Sequence, residues 1–511
     1  MGKKISKSKR LHHWPGFILA FFFLYYGLSG ILLNHRGLIS HMDVSRSLLP
    51  SSFEYDGWNN AALKGDLKIT DDSILIYGSV GVWATNKDRD DFQSLNGGFP
   101  NGVDHRKVND VCRMPDGTTY AATQFGLYRW NQDQLKWILV KIETDYPRFV
   151  GLTNFGDTIY VINRNAVFYG VTKSEGNVAF EKVVLKAPSN YEKVVSLFTT
   201  VWELHSGALF GIGGVLFVDF LGILLIIISV TGIVFFMFPD WIKRRKRAKL
   251  GTKKLSYWNR VSIQWHNKIG VWCFVLFILL TFTGMFLRPP LIITIASSKV
   301  APIPGSHLDQ DNPWFDNLRD IHYSSLRNEF VLASSKGIYR LSSLDHQPIR
   351  YKVQPPVSVM GINVLEEQAN GSFLIGSFSG LFVWSPESST VMNYVTRKVY
   401  IPKKSGRPVG DQVVTGLLHG EMGERFIVDY FKGVVPSNLG REYSEMPESV
   451  VRSSPISLWS LCLEIHTGRI FRDLLGDFYI LIVPLSGMIG ISVFISGFIL
   501  WWRKYRKKKH Q

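Results

Sequence analysis

A chain of 511 residues has room for several domains, and its formal net charge of +17 invites a nucleic-acid partner. The placement of that charge excludes one: residues 1–11 carry five Lys or Arg, 243–260 nine and 503–511 six, none with an Asp or Glu, which leaves the rest at −3. Basic clusters flanking apolar runs, with Phe, Trp and Tyr at 14%, describe a membrane protein with its positive segments inside.

In chain order, a basic head runs from Lys3 to Arg10. Gly16 to Leu33 is then apolar and uncharged, about 18 residues, enough for one helical crossing. No small-x-small cleavage site follows Leu33, so the segment is expected to stay as a helix rather than leave as a signal peptide. Further apolar runs are Ala208 to Phe238, Ile269 to Leu287 (stopped by Arg288-Pro289-Pro290) and Leu474 to Trp502. Backbone groups in lipid must pair internally, so each run is expected to be a helix.

Between them lie two polar, β-rich inserts. Strand-like runs end in glycine turns at Ser73 to Val82, Thr118 to Trp130 and Thr158 to Tyr169. The phrase from Tyr120 to Trp130 resembles Val331 to Arg340 and Leu374 to Trp384, and so occurs in both inserts. Repeated hairpins predict propeller-like short sheets, about six blades of 40–50 residues across both inserts. Two unrelated β-rich domains are the alternative.

The organising feature is an internal repeat. Glu203-Leu204-His205-Ser206-Gly207 returns 261 positions later as Glu464-Ile465-His466-Thr467-Gly468, each ahead of an apolar run closing on a basic cluster. Leu11-His12 with Gly16 and Ser29-Gly30 matches Trp265-His266 with Gly270 and Thr283-Gly284 at identical spacing. The predicted architecture is a four-helix transmembrane bundle from a tandem duplication, plus an all-β extracytoplasmic head formed by the two inserts. Its parts are 1–37 (basic N-terminus and first helix), 38–200 (insert one), 201–242 (second helix) and 243–260 (cytoplasmic basic loop). Then come 261–290 (third helix), 291–455 (insert two) and 456–511 (fourth helix and basic C-terminus). Charge places both termini and the 243–260 loop in the cytoplasm and both inserts outside.

A pseudo-twofold along the membrane normal pairs His12 with His266 at the cytoplasmic edge and His205 with His466 at the outer edge, where they open the inward-going helices. Haem iron takes two axial imidazoles, and a bundle holds cofactors between facing helices. Haem iron via these four histidines is therefore the candidate metal site, with His35 an alternate at the outer edge. The neighbouring glycines leave room for a flat macrocycle, or serve plain helix packing. Asp219 and Asp477 are intramembrane acids at non-equivalent positions, for which a proton or helix-cap role is open. Cys112 and Cys462 lie on the outer side, where pairing is open, and no CxxCH marks covalent haem.

Leu11-His12-His13-Trp14 with Gly16, leading to Ser29-Gly30 and Asn34-His35, resembles the PepSY-associated transmembrane helix family. So do Leu204-His205-Ser206-Gly207 with Thr231-Gly232, and in the second copy His266, Thr283-Gly284, His466-Thr467-Gly468 and Ser496-Gly497. The resemblance implies an inner-membrane, haem-binding reductase in siderophore-linked iron uptake, with haem b, two by the histidine count. No GxGxxG, Walker A, HExxH or GxSxG is present. Electrons are then expected from a quinol or a redox protein, with ferric iron or a ferric siderophore as acceptor and lipid as surroundings. A membrane-anchored propeller sensor or scaffold without redox activity is the alternative, and a transporter fits less well because the helices are few.

Overall fold

The computed structural model describes residues 7–172, 178–358, 361–402, 410–421, 423–436 and 440–509. Lys3 and Lys4 of the basic N-terminus lie outside the described residues. Among the described residues, seven helices of nine or more residues make up the apolar part of the molecule and its borders: α1 (Lys7–Asn34), α2 (Leu197–Ser206), α3 (Gly211–Arg247), α4 (Lys253–Trp272), α5 (Phe274–Phe286), α6 (Leu458–His466) and α7 (Ile482–Lys509). Among the described residues three stretches are long and apolar enough to cross a membrane: Ser8–Asn34, Ala208–Arg247 and Arg469–Lys504. The α4–α5 pair makes a fourth if its 69° bend belongs to one span.

α1 packs against α3 and α7, α4 against α3, and α5 against α7. Leu19, Phe23, Leu225, Ile228, Phe277 and Phe494 fill the space between them. Ile18, Phe21, Phe217, Phe220, Leu279 and Phe282 are exposed, as residues facing lipid chains should be.

Three details depart from the sequence reading. The third apolar run is not one helix: the chain breaks at Cys273, between α4 and α5. His205 and His466 do not open the long helices but close the separate short helices α2 and α6. Gly207 and Gly468 follow at φ 85° and 73°, a left-handed turn that side chains resist. The fourth long helix starts at Ile482 rather than Leu474, because residues 472–481 form a short helix and a 3-10 turn that leaves Asp477 exposed.

The inserts build six small antiparallel sheets, each from consecutive strands. Sheets 1–3 span residues 65–94, 108–140 and 149–183; sheets 4–6 span 318–350, 364–393 and 414–436. The glycine phrases are hairpins, with Gly337 and Gly380 at φ 139° and 127° where a β-carbon would be strained. Apolar clusters join each sheet to the next, and Trp58, Ile76, Trp83, Leu418 and Val428 join the sixth to the first. The two inserts thus share one continuous packing, sheet 3 meeting sheet 4 through Ile162, Val167, Leu318, Ile321 and Leu332.

Two short ladders clip the inserts together at their roots, Asp43–Val44 with Ile456–Ser457 and Val195–Ser196 with Lys299–Val300. Arg36 clamps the end of α1 to sheet 2 through a two-bond pair with buried Asp104, at 2.7 Å each, and lies 4.0 Å over the ring of Trp459. Burial opposes the Asp104 charge, but Arg36 and Lys107 outweigh it and hold the carboxyl down to about 2. Across the first strands of sheets 1, 5 and 6, His419 sits between Asp66 (2.8 Å) and Glu366 (2.9 Å). Cys112 and Cys462 are both free.

Leu332 is fully buried between sheets 3 and 4. Leu332→Ala should therefore destabilise the head by about 2–5 kcal/mol, read as a lower denaturant midpoint of tryptophan fluorescence in the full chain. Burial works against the His419 charge, yet Asp66 and Glu366 raise its pKa to about 10. The stabilisation is complete below the ordinary histidine value and fades as pH rises towards about 10. The midpoint gap between the wild type and His419→Gln should accordingly shrink from about pH 6.5 to about pH 10; a constant gap would refute this account.

Candidate functional site

The histidines meet in two pairs. Ring centres of His12 and His266 lie 6.0 Å apart, and those of His205 and His466 lie 6.1 Å apart. Both levels touch α1: His12 stands near its start, and the seat of His466 at Gly30 lies 18 residues on, about 27 Å along the axis.

Each histidine faces a glycine that follows a Ser or Thr on a neighbouring helix, and His12, His205 and His266 also reach the carbonyl four residues before that glycine. His12 donates from Nδ1 to the Val493 carbonyl (3.0 Å), and its Cε1 faces Gly497. His266 donates to the Ile228 carbonyl (3.1 Å) and faces Gly232, with Thr231 beside it. His205 donates to the Leu280 carbonyl and to Thr283 Oγ1, both at 3.1 Å, and faces Gly284. His466 donates to Ser29 Oγ (3.0 Å) and faces Gly30. Ser29 in turn gives its own proton to the Tyr25 carbonyl, so Nδ1 of His466 is the donor.

The glycine is what makes the seat possible. A β-carbon would stand 2.8 Å from Cε1 of His205 at Gly284 and of His12 at Gly497, and 3.2 Å from Cε1 of His466 at Gly30 and of His266 at Gly232. A bare backbone lets each imidazole lie against the helix without that contact, which would be prohibitive at Gly284 and Gly497 and tight at Gly30 and Gly232. With Nδ1 as the donor, each ring keeps its lone pair on Nε2, the usual arrangement of a metal-binding imidazole. Among the described residues no group of three or more His, Cys, Asp or Glu could hold a metal ion, so each level offers two imidazoles.

Sequence reasoning missed the seats, although the four dipeptides Ser29-Gly30, Thr231-Gly232, Thr283-Gly284 and Ser496-Gly497 are visible there. Their common offset from a carbonyl facing a histidine needs the fold. Other glycines do serve helix packing, as where Gly27 and Gly222 meet.

His35 is engaged elsewhere: its Nε2 lies 2.7 Å from Asp219, which also accepts from Asn34 Nδ2 at 2.8 Å. Asn34 reaches on to the Ser206 carbonyl, tying this polar cluster to the end of α2. Glu203, two residues before His205, pairs with His307 at 3.2 Å; Glu464, two before His466, pairs with Arg469. A cavity of about 90 Å³ lies beside the His12–His266 pair among Phe17, Phe23, Phe236 and Phe494. A polar cleft of about 420 Å³ lies between the inserts, lined by Tyr146, Asn163, Lys182, Gln310 and Phe315.

Among the curated proteins none matches this chain. Solved structures give distant likenesses. The extracellular domain of a hybrid two-component system from B. thetaiotaomicron has 8% identity and a TM-score of 0.35, covering 76% of this chain and 40% of that one. A structural genomics protein of unknown function from Bacteroides thetaiotaomicron has 10% identity and a TM-score of 0.37, covering 78% and 74%. Virginiamycin B lyase from Staphylococcus aureus has 8% identity and a TM-score of 0.32, covering 75% and 86%. This chain spans less than half of the first of these, and similarity at this level carries no argument about fold or function. The PepSY-associated TM region, by contrast, matches residues 9–504, and the chain belongs to that family of membrane proteins.

Proposed function

We propose that the protein holds two b-type haems, one at each histidine level, and carries electrons through the bacterial inner membrane to an acceptor beside the β-rich head. Ferric iron or a ferric chelate such as a siderophore is the acceptor class, with a quinol or a redox protein as donor. The observation that carries this reading is the pair of ring separations, 6.0 and 6.1 Å. Two imidazoles that share one metal ion at bonds of about 2.0 Å hold their ring centres about 6 Å apart. A donor set of two neutral imidazoles fits haem iron, and the seats supply the tautomer it needs.

Haem, when bound, supplies reversible one-electron exchange. The protein's part is to fix the ligands and keep water out. The seats lock His12, His205, His266 and His466 against rotation. Between the levels, Phe23, Phe494 and Phe277 stack with ring centres 5.4 and 5.3 Å apart, a dry apolar layer. The six sheets read as a six-bladed propeller, supported by the packing of each on the next and of the sixth on the first. The four-helix bundle reading takes the bent α4–α5 pair as one span. The basic clusters support a cytoplasmic side holding both termini and the 243–260 loop, with the head outside.

Purified protein from haem-replete cells should show a Soret band. His266→Ala should lose about half of the haem, as should Gly497→Val, which pushes His12 off its seat without removing a ligand. His205→Ala should remove the other half. A colourless wild type sinks the proposal, and loss of the outer haem on His35→Ala but not His205→Ala would reassign the outer ligand.

In vesicles with haem reduced from the inner side, an external ferric chelate should reoxidise both haems, and a variant lacking the outer pair should not respond. Reoxidation by a quinone or copper alone would leave electron transfer standing and remove the ferric assignment.

A further inference from the structure

Cations cluster at one end of the first strands of sheets 2, 3 and 4, the end next to the helices. Asp104 and Lys107, just ahead of strand Val108–Arg113, mark that end by bonding Arg36 of the α1 terminus and Ser460 of α6. Arg148 stands at the same end of strand Phe149–Phe155, and Arg319 at that of Leu318–Ser324. Arg164 lies next to them, its carbonyl accepting from the Leu318 amide.

Two of these charges, those of Arg148 and Arg319, have no carboxylate partner among the described residues. Arg164 pairs with Asp316 at 2.7 Å. Arg319 donates from Nη1 to the carbonyls of Asp316 and Leu318, both at 2.8 Å, and its Nε is buried without an acceptor. Arg148 has no carboxylate partner among the described residues, and its Nε too is buried without an acceptor. Its side chain is partly buried. Lys64, buried nearby, is offset by Asp110 and Asp320. Burial first, then repulsion from Arg164 and Arg36, lowers Arg148 to about 10; burial and then Arg164 lower Arg319 to about 9.

A guanidinium does not shed its charge in a protein, and an enclosed ion without a partner is unfavourable. Three arginines against the single carboxylate of Asp316 therefore leave two positive charges to be matched. Planar forks of this kind fit the paired oxygens of a carboxylate or phosphate. We infer that Arg148, Arg164 and Arg319 form an oxyanion-binding site at the membrane-facing end of the head, fitted to the carboxylates of a small soluble anion or the phosphate of a lipid headgroup.

The test is calorimetry on the full chain in lipid nanodiscs, with citrate as the probe. The wild type and a surface control, Lys136→Gln, should bind equally. Arg148→Gln and Arg319→Gln should each weaken binding at least tenfold, and Arg148→Lys, which keeps charge but loses the fork, by less. Removing an unmatched cation should leave the thermal midpoint of anion-free Arg148→Gln unchanged or higher. Should a Gln variant fail to fold, Arg148→Lys alone decides, by a weaker affinity or an unchanged one. A citrate affinity that falls in discs of anionic lipid assigns the natural occupant to a lipid phosphate, and an unchanged one assigns it to a soluble carboxylate. No citrate binding by the wild type in discs of neutral lipid, or equal binding by all the Arg148 variants, overturns the inference. The probe contains no iron, so failure here leaves the haem proposal untouched.

Discussion

An imidazole packs closest to a formed helix where no side chain stands over the turn it meets, and the apolar helices are arranged around four places where this holds. Each seat joins two halves of the chain. His12 and His205 of the first copy dock on Gly497 and Gly284 of the second; His266 and His466 of the second dock on Gly232 and Gly30 of the first. Neither copy completes a level alone. The duplication therefore supplies mutual scaffolding, with every histidine oriented by backbone that it does not itself belong to.

The same cross-wiring recurs in the head. The start of the first insert pairs with the end of the second at Asp43–Val44, and the end of the first pairs with the start of the second at Val195–Ser196. Asp110 carries the stitching inward, accepting from its neighbour Val111 (2.9 Å), from Leu152 of sheet 3 (2.7 Å) and from Tyr77 of sheet 1 (3.2 Å). Separately, Arg36, just past the end of α1, pairs with Asp104, so the position of the head is tied to the helix that carries His12 and seats His466.

Much of this was legible in the sequence because periodicity and repetition are local signals. The pentapeptides around His205 and His466, and the matched frames of His12 and His266, named residues that fold into pairs 6.0 and 6.1 Å apart. The glycine phrases named hairpins. What was not legible depends on backbone geometry between elements. Apolar runs ignore a break such as Cys273, since hydropathy is unaffected by a bend. The short helices α2 and α6 looked like the starts of long ones until Gly207 and Gly468 turned left-handed. The acceptor that occupies His35, Asp219, lies 184 residues away, beyond any pattern within a window.

The two copies also show where duplication has been allowed to drift. The seats are near-identical, whereas the groups just outside them are not. The glutamate two residues before His205 and before His466 is kept in both pentapeptides, yet Glu203 faces His307 and Glu464 faces Arg469. One partner can titrate in the physiological range and the other cannot. His35 and Asp219 add a second imidazole–carboxylate pair tied to the end of α2, while Asp477 is exposed in its turn. The level of His205 and His466 is therefore symmetric in its ligand candidates and asymmetric in its charge surroundings, and the difference sits on the side where His307 meets the polar cleft through Phe315 and Tyr146. A duplicated pair of helices fixes geometry; the unequal shell around it is where one side can acquire a dependence on protons that the other lacks.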